Sequence, residues 1–262
     1  MSQRRAELDR FYVLLAELEQ RNSGKRRLVE SHGRMGWPQR GVYFFFENGE
    51  LREDGVTPRV VRVGTHGLRS SKSTLWGRLS QHKGNAGGST RGGGNHRGSI
   101  FRLHVGTALL ASGDWPETIR SSWSVGNSAP PDVRRAEYPL ERAVSDHIGA
   151  MPFLWLDVDD PPGPESDRGV IEAGAIALLS NVDREAIDPP SVDWLGWRAN
   201  RRLVRESGLW NVDHVQDLPN GRFLDVLAIR SGIQRFDCRV SVTPTGSHRA
   251  PSSTLCGEEF GE

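Results

Sequence analysis

The chain has 262 residues, 36% hydrophobic and 26% charged, which suits one large soluble domain or one domain with substantial extensions. No apolar run approaches the ~18 residues of a membrane span, and two cysteines, Cys238 and Cys256, make neither a disulfide scaffold nor a pair at zinc-ligand spacing. The net charge of +1 conceals a basic front: residues 1–109 hold 19 Lys and Arg against 9 Asp and Glu, and the remainder is acidic. A basic front suits a polyanionic partner, although a solvated surface has the same composition.

In chain order, Leu8, Phe11, Tyr12, Leu15 and Leu18 recur at helical spacing with charges between them, which predicts an amphipathic helix over 3–20. Acids inside this stretch distinguish it from a signal peptide, so a cytoplasmic protein without membrane attachment is expected. Basic residues from Lys25 to Arg40 lead into two strand-like runs, 41–47 (GVYFFFE) and 59–65. Asn48-Gly49 and Asp54-Gly55 lie between the runs, and the simplest joining is an antiparallel hairpin. Residues 73–83 (STLWGRLSQHK) predict a helix capped by Ser73 or Thr74 and ended by Gly84, with Leu75 and Leu79 on one face and Arg78 and His82 on another. The Gly-rich stretch 84–99 lacks the Gly-Lys-Ser/Thr ending of a P-loop. Residues 99–106 (SIFRLHVG) alternate well enough for a third strand, and 107–135 read as irregular. A helix at 136–149, a buried strand at 151–160 running into an acidic loop, and an apolar helix at 169–181 follow. Short helices and loops reach 230, and a polar tail from 231 onward is expected to be mobile.

Three places in this pattern carry chemistry. Tyr43 shares its strand face with Phe45, so its hydroxyl can reach a site at the sheet surface. Gly64, closing the second strand, permits close approach of a backbone or phosphate. Arg78 can clamp phosphate oxygens and His82 can move a proton near neutral pH, although a helix usually turns such residues to solvent. Glu172 stands in an otherwise apolar, small-residue helix (VIEAGAIALL). A carboxylate there faces a cleft, holds a cation, or marks the solvent edge.

The ordered set Gly41-Val42-Tyr43, Arg62-Val63-Gly64, Arg78, Glu172 and Asn181 resembles the GIY-YIG nuclease superfamily over about residues 38–182, and Arg78-x-x-x-His82 looks like the Arg/His pair of GIY-YIG restriction endonucleases. The resemblance implies an α+β fold, an α/β protein with a three-stranded antiparallel sheet flanked by helices. An N-terminal helical segment (1–37), a helical or irregular C-terminal extension (183–230) and a tail (231–262) would surround it. It implies phosphodiester cleavage with one divalent ion, Mg2+ or Mn2+, held by Glu172 with Glu141 as the alternative ligand. Tyr43 would position or deprotonate water, aided by His82, while Arg78 would offset charge in the transition state and Asn181 would orient neighbouring groups. Arg62, Gly64, His66, Lys72, Arg91 and Arg97 are the expected substrate contacts, and double-stranded DNA the expected substrate. A homodimer is compatible with the pattern. Two features depart from it. Arg62 stands where a second tyrosine is usual, and the long separation of Arg78 from Glu172 requires an insertion at about 107–160. The competing readings are a nucleic-acid-binding module that no longer cleaves, for which Arg62 speaks, and an interaction protein using its eight tryptophans.

Overall fold

A computed structural model of the chain describes residues 2–69, 72–84, 93–163 and 165–232. The expected mobile tail and Arg91 lie outside the described residues, apart from Ser231 and Gly232. No helix among the described residues is long and apolar enough to cross a membrane.

The amphipathic pattern at the start forms α1 (Gln3–Arg21), with Ser2 as its N-cap and Leu8, Phe11, Tyr12, Leu15 and Leu18 buried. A two-residue strand β1 (Arg26–Arg27) precedes the hairpin β2 (Gly41–Leu51) and β3 (Pro58–Gly64). Then come α2 (Leu75–Lys83), a 3-10 turn at His96–Gly98, α3 (Ile100–Ser112), α4 (Glu117–Ser122), α5 (Pro131–Ala150), β4 (Pro152–Asp157) and α6 (Asp167–Leu179). A second 3-10 turn, Leu195–Arg198, leads to α7 (Arg202–Ser207) and α8 (Arg222–Arg230). The sheet is antiparallel throughout, in the order β1-β4-β2-β3.

Three long strands are present as expected, but one is not where alternation placed it. Residues 100–106 are helical, in α3 with Ser99 as its N-cap, and the strand beside β2 is β4, paired from Gly41↔Asp157 to Phe45↔Phe153. The alternation of SIFRLHVG misled because α3 buries Arg102 and His104 along with Phe101 and Val105, so polar residues do not mark a wet face there. The segment 107–160, expected as an insertion, therefore contributes a central strand. It also contains α4, where an irregular stretch was expected, and α5, which takes in the helix expected at 136–149.

The sheet separates two cores by the strict alternation of strand side chains. Val42, Phe44 and Phe46 pack with α1, α6 and α8, and Tyr43 and Phe45 pack with α2, α3 and α5. Register shifts after Phe45, whose partner is Arg62, whereas Phe46 faces Val60. The extra residue is a bulge, and it lets both Val61 and Arg62 face the α3 layer. β1 pairs with Pro152 and Phe153 at the start of β4, and on the outer side of β3 the Trp210 N–H donates to Val61 O (2.8 Å). Asn211 accepts from Val63 N–H and donates back to its carbonyl (3.1 and 2.9 Å).

Candidate active site

Two glycines at the rim of the sheet are required by space. A Cβ on Gly41 would lie 2.3 Å from the Leu156 carbonyl oxygen, and one on Gly64 would lie 2.4 Å from the Tyr43 hydroxyl. Tyr43 and Gly64 are register partners, so the phenol lies over the bare backbone of the neighbouring strand. Thr74 caps α2 by accepting from Gly77 N–H, and Gly84 ends it at positive φ. The expectation that His82 and Arg78 share a flanking face is corrected. His82 joins Leu75 and Leu79 on the buried face, while Arg78 stays partly exposed.

His82 is fully buried and forms a bridge. Its Nε2 lies 2.8 Å from Tyr43 Oη and its Nδ1 lies 2.8 Å from Ser99 Oγ. Burial, then the cations Arg78, Arg62 and Arg102, hold the imidazole well below its usual pKa, so the ring is neutral at pH 7. Arg62, on the strand diagonal from Tyr43, is buried. Its Nη1 donates to Trp210 O (2.7 Å), its guanidinium lies over the Phe101 ring at 4.8 Å, and its Nε has no partner. Burial lowers its pKa, and the neighbouring Tyr43 and Glu172 oppose that. Arg78 Nη1 donates to Gln81 Oε1 (2.9 Å) and Gly98 O (3.2 Å) and leaves the rest of its fork at the surface.

Glu172 reaches the same rim from the opposite layer. Its Oε1 accepts from Thr65 N–H (3.0 Å), one residue beyond the end of β3. Arg168, one turn earlier on α6, secures that junction by pairing with Asp160 and donating to His66 O. Burial pushes the Glu172 carboxyl up, against the pull of Arg62, the Thr65 N–H, His214 and Arg78. His66 is held neutral, pushed down to about 4 by burial and by Arg168. Lys72 is exposed.

The remaining expected site residues lie elsewhere. Asn181 follows α6 nine residues after Glu172, about 13 Å along a helix axis. Its amide holds the Ile187 backbone and accepts from Arg4 (2.9 Å). Arg97 makes a buried, bidentate pair with Glu137 (2.6 and 2.9 Å). Glu141 accepts from His96 N–H (2.6 Å) and pairs with Arg102, which in turn donates to His82 O (2.8 Å). With both oxygens so engaged, Glu141 supports the His82 helix and has no oxygen left for a cation. Ser99, Thr65, Arg102 and His214 belong to the neighbourhood without having been expected. Ser99 alone carried a sequence signal, as a serine before an apolar run.

Among the described residues no three His, Cys, Asp or Glu converge on one point. A closed metal cage is thus not what this rim offers. Glu172, with one oxygen on a backbone N–H and partial access to solvent, fits a hard divalent cation that retains most of its water. The family model described as the GIY-YIG domain matches residues 2–235 of the chain. No curated protein and no solved structure matches it.

Proposed function

The chain belongs to the GIY-YIG domain family, which points to nuclease-type function, and from that premise we propose a metal-dependent endonuclease that hydrolyses phosphodiester bonds in double-stranded DNA. The observation that carries this reading is the neighbourhood of the Tyr43–His82 pair, the cations Arg62 and Arg78, which form no salt bridge among the described residues, and the carboxylate Glu172. Phosphodiester hydrolysis needs an oriented water, a base for its proton and fixed positive charge where the phosphorus gains negative charge. Tyr43 takes the proton of the attacking water. Arg78, half free of its helix, clamps the non-bridging oxygens. Glu172 holds one Mg2+ or Mn2+ ion. Bound there, the ion supplies Lewis-acid polarisation of the phosphoryl group. Such an enzyme serves restriction, phage defence, mobile-element processing or repair.

The test is nicking of supercoiled plasmid with Mg2+ or Mn2+, parent against Glu172→Ala. Loss of nicking in the variant alone supports the reading, and equal nicking by both overturns the assignment of Glu172. A second reading, a binding module that no longer cleaves, is favoured by Arg62 in the place of a tyrosine. Salt-sensitive DNA retention, weakening about 10³–10⁵-fold between 50 and 200 mM salt for six to ten phosphate contacts, without nicking under either metal, would select it.

A further inference from the structure

We infer that the cleft beside Arg78, on the outer side of α2, takes an unpaired nucleobase of the substrate strand and stacks it on Trp76. The preferred substrate is then duplex DNA with one extruded nucleotide next to the scissile phosphate.

The cleft encloses about 630 Å³, a volume typical of small-ligand sites. Its walls are Trp76, Gln81 and Lys83 of α2, residues 31–33, and the turn around Asn95 and Gly98. Trp76 ends a row of stacked rings. Trp37 stacks on the buried Phe153 (5.9 Å between centroids, 22° between planes), and Trp76 stacks on Trp37 (5.4 Å, 14°). Trp37 is itself fixed by the edge of Trp155 (5.0 Å) and by the Arg26 guanidinium (5.4 Å), so the platform is rigid. Among the described residues Trp76 has no further ring partner, and it lines the cleft whereas Trp37 does not. The row thus runs from the core to the cleft wall, and a flat base is the shape that continues it. Only an unstacked base has a face free to do so.

The polar groups around the platform are donors. The Trp76 indole N–H has no hydrogen-bond partner among the described residues and opens beside Gly33, where an added Cβ would lie 2.7 Å from Nε1. Gln81 uses its carbonyl oxygen to accept from Arg78 Nη1 (2.9 Å), and Asn95 uses its own to accept from Arg97 N–H (3.1 Å), which leaves each NH2 end to donate. Lys83 is anchored on Ser31 O (2.6 Å) and brings a positive charge, and no carboxylate lines the cleft. This set suits a ligand whose edge carries acceptors, as the carbonyl oxygens of thymine do. The cleft also adjoins the reaction. Arg78 Nη1 donates to Gly98 O (3.2 Å) as well as to Gln81, and both of these residues are cleft wall. The guanidinium that clamps the phosphate therefore stands on the rim of the cleft, and one strand can place a phosphate on Arg78 and the adjoining base on Trp76.

This inference rests on the nuclease reading and narrows its substrate. The test uses the full chain carrying Glu172→Gln, without added metal, and two fluorescein-labelled duplexes that differ by one extra thymidine in the middle of one strand. Fluorescence anisotropy is expected to show the bulged duplex bound about 5–150-fold more tightly than the paired one, the gain from stacking one base. An abasic site in place of the extra thymidine is expected to cancel that preference. Trp76→Ala, which removes the platform, should do the same. So should Gly98→Leu, whose side chain grows into open space at the cleft, because a Cβ there meets nothing within 4 Å. If Trp76→Ala does not fold, Gly98→Leu decides. With Mg2+ or Mn2+ the parent chain is expected to nick the bulged strand at a phosphate flanking the extra thymidine. Equal binding of the two duplexes overturns the inference. So does a preference that survives the abasic site, which would mark recognition of the bend alone, or one that survives both variants, which would move the base elsewhere. Plasmid nicking without any preference for the bulge defeats this inference alone, whereas absence of both binding and nicking defeats the nuclease reading with it.

Discussion

At the scale of single residues, the site depends on what is missing from Gly64 as much as on what Tyr43 provides. A methyl added at Gly64 would sit 2.4 Å from the phenol oxygen and 2.5 Å from Cζ, so the ring must swing off His82. Gly64→Ala is expected to cost ~1–3 kcal/mol in urea denaturation, as overpacking does. Its nicking rate should fall by about 10²-fold, the price of a base displaced by an ångström. Unimpaired nicking would separate Tyr43 from the reaction. Glu172 is the opposite case, a residue the fold would do better without. Its carboxyl is raised above the unfolded value of 4.5 by burial. Stability from a raised carboxyl is present below that unfolded value and is lost as pH rises through the folded one. At pH 7 the ionised side chain therefore opposes folding. Glu172→Gln is expected to melt at or above the parent temperature at pH 7, with the difference closing by pH 4, while metal-dependent nicking drops by several kcal/mol of transition-state stabilisation, about 10²-fold or more. A variant that melts lower at pH 7 would make Glu172 structural.

At the scale of elements, sequence periodicity was a good guide wherever the partner was local. The apolar spacing of α1, the hairpin β2–β3 with its turn glycines, and the capped α2 were all legible because each element's signal lies within its own residues. Tyr43, Gly64 and Arg78 stand on those elements and Glu172 on α6, whereas His82 turns to the buried face of α2 rather than lying beside Arg78. What could not be read depends on distant pairing. α3 looks like a strand because Arg102 seems to demand water, yet its partner Glu141 stands 39 residues away on α5. Arg97 looks like a phosphate contact because Glu137, which absorbs its charge, is equally remote. That pairing can be tested. Arg97→Met leaves a carboxylate buried and unmatched, an expected loss of ~3–5 kcal/mol, whereas Arg97→Met with Glu137→Leu should recover most of it. If the double variant folds and nicks as the parent does, Arg97 is a strut. A specific loss of nicking in the double variant would return it to the substrate.

At the scale of the whole molecule, much of the basic front is spent inside. Arg52, Arg59, Arg97 and Arg102 are committed to carboxylates, and Arg4 to the carbonyls at the end of α6. The surface offered to a polyanion is therefore narrower than a balance of +10 implies. The interior also stores neutral histidines. His104, between the Arg62 and Arg201 charges, is pushed down to about 4 by burial, and His66 and His82 are lowered with it. A histidine lowered on folding contributes stability in full above its unfolded pKa near 6.5 and loses it as pH falls toward the folded value. For His104 alone this amounts to about 3 kcal/mol. The urea midpoint is expected to fall between pH 6.5 and 4, and His104→Leu to flatten that fall; an unchanged slope would place the acid sensitivity elsewhere. The hydrogen bonds from Trp210 and Asn211 to the outer side of β3 bear on how such an enzyme can be taken apart. The residues of the family pattern all precede position 183, which invites excision of a minimal catalytic unit. Cut there, the sheet would keep every motif and lose its seal. Val61 and Val63 would present a bare ladder to other chains, and Arg62 would lose the carbonyl that aims it. The segment that carries Trp210 and Asn211 is thus no detachable accessory, and activity is expected to travel only with it.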